Sequence, residues 1–185
     1  IYPNVILQGD TVIGERVTIL SNSFLRNAKI ADDVSIDSSK IVESSVGART
    51  TIGPMSHLRN HTEIAEDCRI GNFVEFKNSH FGTGSKCAHL TYVGDADVGS
   101  GVNFGCGTIT TNYDGFEKHR SVIGDNAFIG CNTNLIAPVK VGEGSYIAAG
   151  ATITKDVPVD ALAVARAKQE NKEGWAKRHR QLHGK

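Results

Sequence analysis

Aliphatic side chains recur at every sixth position over most of this chain, with small and polar residues filling the intervals. Ile52, Leu58, Ile64, Ile70 and Phe76 form one unbroken run, and Ile123, Ile129, Leu135, Val141, Ile147 and Ile153 form another. Four residues after each tooth of this comb stands a small or β-branched residue, such as Ser56, Thr62, Cys68, Val74, Ala127, Thr133 and Ala151. Glycine often follows the tooth directly, as at Gly53, Gly71, Gly124, Gly130 and Gly142. A helix repeats near 3.6 residues and an isolated strand alternates with period two, so neither makes this pattern. A hexapeptide β-helix does, with one short strand and one corner per hexad.

Three hexads close one coil, so residues about eighteen apart stack along the axis. Ile52 should lie on Ile70, Leu58 on Phe76, Ile129 on Ile147 and Leu135 on Ile153. No hexad can bury its own tooth, and stability must come from neighbouring coils. The expected fold is all-β, a parallel β-helix shaped as a three-sided prism. Glycine after a tooth suits a corner that needs positive φ or close backbone approach. Periodicity does not fix the hand of the coil, and the general crossover preference is right-handed.

The comb also reads backward through Ile13, Ile19 and Leu25, then Ile30, Ile36 and Val42, with slips between the runs. Past Val157 it stops. Pro158 and Asp160 interrupt it, residues 161–167 are rich in alanine, and a polar stretch around Trp175 ends in Lys177-Arg178-His179-Arg180. The expected division is a β-helix domain over residues 1–157 and an arm with a short C-terminal helix over residues 158–185. The basic end is a solvated terminus or, more sharply, a contact for an anion or a partner.

Twenty basic residues balance twenty acidic ones, which removes any global pull toward nucleic acid or membrane. No apolar run approaches a membrane span and no signal peptide is evident, so the expected address is cytoplasmic. The chain opens on Ile1-Tyr2-Pro3 and reads as a piece of something longer. Its four cysteines, Cys68, Cys87, Cys106 and Cys131, have no CxxC spacing and are expected to be small buried apolar side chains in a reducing compartment.

Smooth prism faces carry no chemistry, so the interruptions matter most. A short step from Phe76 to Phe81 and another from Val93 to Val98 bracket Lys86-Cys87-Ala88-His89-Leu90-Thr91-Tyr92-Val93-Gly94-Asp95. After Phe104 comes an insertion, in which Asn112-Tyr113-Asp114-Gly115 reads as the turn of a projecting loop. Arg59 and Lys77 are one coil apart and should share a face, either as a phosphate clamp or as two solvated charges. His89 is placed on a face rather than in the core. It is either a surface histidine bonded to its neighbours or a general base.

Gly53-Pro54, Arg59, Gly71-Asn72-Phe73-Val74-Glu75, the His89 to Asp95 string and Gly107-Thr108-Ile109-Thr110-Thr111-Asn112-Tyr113-Asp114-Gly115 resemble one family closely. It is the acetyltransferase half of the bifunctional enzymes that make UDP-N-acetylglucosamine, in which glucosamine-1-phosphate N-acetyltransferase is joined to N-acetylglucosamine-1-phosphate uridylyltransferase. The resemblance runs from about Val12 to Trp175. It implies a left-handed β-helix, a homotrimer with sites between subunits, and acetyl transfer from acetyl-CoA to the amine of glucosamine-1-phosphate for cell-wall precursor synthesis.

By the same resemblance His89 is the base, and Arg59, Lys77, Tyr92, Asn103 and Lys118 hold the sugar phosphate. Cys106, Asn112, Tyr113, Cys131, Ala149 and Arg166 fall to acetyl-CoA, and no metal is implied. Asn60-His61 departs from the family's usual proline-glycine and leaves the loop beside Arg59 open. A covalent acetyl-cysteine route is disfavoured because sequence sets no histidine beside Cys106 or Cys131. The uridylyltransferase half's glycine-rich nucleotide loop has no counterpart in these residues. Three rivals stand: an inert trimeric scaffold, a hexapeptide acyltransferase for serine or another sugar, and a zinc enzyme using three of His57, His61, His80 and His89.

Overall fold

A computed structural model describes residues 1–184 as a stack of about nine coils. Every strand pairing in it is parallel, and three ladders of inward teeth form the core. On the first face the teeth run from Leu25 through Leu58, Phe76 and Val93 toward Leu135 and Ile153. On the second they run from Ile30 through Ile64, Phe81 and Val98 to Ile123 and Val141. The third carries Ile36, Ile52, Ile70, Cys87, Phe104, Ile129 and Ile147. These side chains are buried in one continuous cluster. Each contributes roughly 1.5–3 kcal/mol by leaving water. All four stacked pairs expected from the comb are in register.

The corners follow a rule tied to step length. In six-residue steps the residue three after the tooth takes a left-handed φ, as at Asn22, Asp33, Arg49, Asp67, Asn126 and Asn132. In five-residue steps it is the residue two after, as at Asn27, Glu43, Asn78 and Asp95. Asparagine and aspartate tolerate that region better than most residues, which explains their recurrence. Glycine after the tooth serves a different purpose at most sites. A Cβ on Gly71 would stand 2.0 Å from the Ala88 carbonyl oxygen, so this glycine is needed for close coil approach.

Two teeth differ from the expected register. Ile41, not Val42, pairs with Leu25 and Leu58, because two consecutive five-residue steps flank it. Thr110 is a tooth as well: it is fully buried, stacks under Leu135, and its hydroxyl donates to the Gly94 carbonyl. The comb therefore continues past Phe104, and the insertion lies between Thr110 and Ile123. The cysteines also divide. Cys68 and Cys87 are buried, and burial pushes the Cys87 thiol up to about 12. Cys106 is half-buried and Cys131 exposed, because both stand two after a tooth, on the outside of a corner. The expectation of four buried thiols fails there.

The ladder extends beyond Val157, which bridges Val141, and Leu162–Ala163 pairs with Tyr146–Ile147. An arm then leads to the helix Trp175–Leu182, none of whose residues is buried.

Candidate functional site

Two strands set the site's frame. Arg69–Lys77 and Lys86–Gly94 each run nine residues, whereas the other strands have two or three. They pair around the edge between the third and first faces, skipping Gly71 and Phe73, and Asn72 is opposite His89 within that pairing. Beneath them Phe76 and Phe81 meet edge-on with centroids 5.0 Å apart, and Phe104 packs on Phe81 at 6.0 Å. The floor is rigid because interdigitated rings leave little space for movement.

His89 is exposed on this edge. Its Nδ1 lies 2.8 Å from the Asn72 side-chain oxygen, and the Thr91 hydroxyl donates to its carbonyl at 2.7 Å. Two residues after the teeth of the following coils come Cys106, Cys131 and Ala149, so one edge column carries all four. The coils are tied closely: Asn132 N–H donates to the Cys106 carbonyl and Gly150 N–H to that of Cys131, both at 2.8 Å. Cys106 is thus one coil from His89, which the sequence did not place beside it, although the two side chains share no hydrogen bond. At the column's end the Arg166 side chain lies over Gly150, where an added Cβ would meet its Cδ at 3.7 Å.

The first face carries the cations. Arg59 and Lys77 are in register, and each has a carboxylate: Arg59 Nε donates to Glu75 at 2.7 Å and Lys77 Nζ to Asp95 at 3.1 Å. Tyr92 stacks next to Glu75 on the same face, and its ring covers Gly94, where any Cβ would be 2.3 Å from the phenol oxygen. Asn60 and His61 both take left-handed φ, the conformation glycine adopts freely, and the Asn60 side chain accepts from Arg59 at 3.2 Å. Asn103 lies elsewhere, on the third face opposite Lys86 and Phe128.

Asp95 organises the edge between the first and second faces. It accepts from Lys77, from Asn78 at 2.5 Å and from Asn112. Burial opposes its charge, but these donors hold its carboxyl below the usual range. Burial also opposes the charge on Lys77, yet Asp95 keeps that ammonium above the ordinary lysine value. Asn112 is buried, so its amide is committed to this network.

The projecting loop is internally built. Asp114 accepts from the backbone N–H groups of Phe116 and Glu117 and faces His119 Nε2, each at 2.7 Å. Those contacts hold the Asp114 carboxyl far below its usual range. Tyr113 and Lys118 form an antiparallel bridge, and Arg120 forks onto Asp97 at 2.7 and 2.6 Å where the loop returns. Exposed Lys118 is thereby brought to Lys77, whose ammonium pushes it below the ordinary lysine value. A groove of about 520 Å³ lies here, lined by Asn60, His61, Lys77, Asn78, Asp95, Lys118, His119 and Arg120. Lys77 is paired with Asp95, so the ammonium of Lys118 beside it leaves positive charge that an anion would neutralise.

One chain thus gathers Lys77 with Lys118 and aligns His89 with Cys106, Cys131 and Ala149, but spreads the full set over two faces and two edges. Glu75, Asp95 and Asn72 were not singled out from sequence, although Asp95 is eighteen residues past Lys77 and within reach of the stacking argument. The four histidines considered for zinc are dispersed: His57 on the first face, His80 on the second, and His61 and His89 on different edges. Among the described residues, no three His, Cys, Asp or Glu side chains converge as a metal site. No helix of the described residues is long and apolar enough to cross a membrane.

Residues 120–155 match the model of the bacterial transferase hexapeptide family (six repeats). Among solved structures, LpxA, a UDP-N-acetylglucosamine acyltransferase from Bacteroides fragilis, shares the left-handed β-helix with a TM-score of 0.74 and 23% identity, over 84% of this chain and 68% of that one. A perosamine N-acetyltransferase from Caulobacter crescentus, in complex with CoA and GDP-perosamine, superposes with a TM-score of 0.56 and 20% identity over 65% of this chain and 57% of its own. The chain is similar to hexapeptide transferase domains. In sequence it matches the C-terminal half of bifunctional protein GlmU: the Clostridium botulinum protein is 56% identical over 175 residues, 95% of this chain. The chain spans 38% of the length of that relative.

Proposed function

We propose that this domain moves the acetyl group of acetyl-CoA to the 2-amino group of glucosamine-1-phosphate. The observation that carries the reading is the pairing of an exposed, anchored histidine on the long-stranded edge with a cationic groove at Lys77 and Lys118. The amine nitrogen attacks the thioester carbonyl, the C–S bond breaks, and the amine's proton passes through His89 to the departing CoA sulfur. Arg59, Lys77 and Lys118 attract the phosphate, while Tyr92 and Asn103 orient the sugar. The pantetheine arm runs along the small side chains of Cys106, Cys131 and Ala149, with Arg166 toward a CoA phosphate and Asn112 and Tyr113 framing the loop side. A cytoplasmic setting and supply of cell-wall precursors belong to the same reading.

The test is thiol release from acetyl-CoA with glucosamine-1-phosphate, free glucosamine or serine as acceptor. Turnover should require both the amine and the phosphate; activity with serine and none with the sugar phosphate rejects the assignment. Acetyl-CoA should also raise the thermal midpoint, which an inert scaffold would not show.

A homotrimer with sites between subunits fits the spread of residues over two faces. Met55, Phe73 and Leu90 support it, standing exposed on consecutive coils in left-handed backbone at the same edge. Holding bulky side chains so costs roughly 1–2 kcal/mol per residue, which a covering copy would offset. Phe73→Asp should convert the assembly to monomer in light-scattering chromatography and abolish turnover. An unchanged molar mass would remove this edge from the interface.

A further inference from the structure

We propose that Asn72 is a positioning residue for His89, whose amide oxygen accepts the Nδ1 proton and leaves Nε2 bare to take a proton from the amine. The proposal rests on His89 being the base and adds what prepares it. A side-chain amide oxygen can only accept, so the 2.8 Å contact requires the hydrogen on Nδ1. A neutral imidazole has one such hydrogen, and its other nitrogen is then the free acceptor. Among the described residues, Asn72 is the one side chain hydrogen-bonded to this ring.

The backbone around the pair is unusual in a way that serves the contact. Pairing continues through this corner, setting Asn72 directly opposite His89, only on the two nine-residue strands. Gly71, immediately before Asn72, permits an approach that any Cβ would block at the Ala88 carbonyl. The fold therefore fixes the spacing between the two side chains from both backbones.

A neutral partner also matters. The ionisable groups on the flanking elements are Arg69, Glu75 and Lys77 before the ring and Cys106 after it, with Lys86, the inward-facing Cys87 and Tyr92 on its own strand. Glu75 and Lys77 are occupied by Arg59 and Asp95. No carboxylate is bonded to the ring. An acid at position 72 would favour the charged imidazolium and hold the base protonated to higher pH.

The experiment compares wild type, Asn72→Leu, Asn72→Asp and His89→Ala in pH–rate profiles, with circular dichroism confirming the fold of each. Asn72→Leu should lower kcat on the order of 10-fold or more, a part of the 10²–10⁴ a positioned base supplies, with KM for the sugar phosphate unchanged. Asn72→Asp should recover activity at high pH while moving the acidic limb upward by about one unit or more. Wild-type kcat in Asn72→Leu, or an unmoved limb in Asn72→Asp, overturns the proposal. Nitrogen-15 shifts of the His89 ring give a readout free of turnover: Nδ1 protonated in wild type, and a tautomer mixture in Asn72→Leu. A wild-type ring protonated on Nε2 also overturns it. Full turnover in His89→Ala would reject the base assignment itself, a result separate from the tautomer.

Discussion

His89→Ala should lose on the order of 10²–10⁴-fold in kcat for acetyl transfer, the range supplied by a positioned general base. The fold should be unaffected. His89 is exposed, and its one side-chain hydrogen bond is to Asn72 on an edge already fixed by backbone pairing. Surface substitutions of this kind usually change stability by under about 0.5 kcal/mol. A large kinetic loss with an unchanged melting midpoint and molar mass therefore separates chemistry from scaffold. Thiol release under saturating acetyl-CoA measures it. Turnover near wild type would take the base role from His89 and make Cys106, its neighbour along the edge, the next group to replace.

The scaffold was legible because burial in a β-helix is periodic and each tooth is a large aliphatic side chain. Legibility failed where that equation fails. Thr110 is a tooth whose hydroxyl is satisfied by Gly94 backbone, so hydropathy hides it and the insertion looks longer than it is. Val42 is buried beside Ile41, and only the ladder shows which of them stacks on Leu58. Cys106 and Cys131 depart from the expected burial because position within the hexad, not residue type, decides exposure.

The site was legible only through motif strings, and those strings name residues without their partners. Spacing placed Arg59 over Lys77 correctly, but it could not show that each is held by its own carboxylate. The cation that remains without one is Lys118, delivered by the loop to the same groove. Charge excess at a site depends on which pairs close in three dimensions, and no periodicity reports that.

Asp95→Ala should be among the most destabilising single substitutions, at about 3–5 kcal/mol, the usual consequence of removing one partner from a buried ion pair. Lys77 would keep an ammonium with a side chain only 12% exposed, and the Asn78 and Asn112 amides would lose their acceptor. The loop root would loosen with Asn112, carrying Lys118 away from the groove and weakening the sugar phosphate along with the fold. The sign with pH follows from the depressed carboxyl: its stabilisation is complete above the ordinary value of 3.8 and is lost as pH falls through the lower folded value. The gap between wild type and Asp95→Ala should therefore be largest near neutrality, begin to narrow below that ordinary value, and be smallest once pH is below the lowered folded value. Chemical unfolding at several pH values measures the gap, and a difference below about 1 kcal/mol at pH 7 would rank Asp95 with solvated surface pairs. Replacing both partners is the sharper control, because well-packed apolar substitutes for a buried pair are often neutral. Lys77→Met combined with Asp95→Ala should recover only the share owed to the stranded ammonium, because Asn78 and Asn112 still lack their acceptor, and should leave sugar-phosphate turnover abolished.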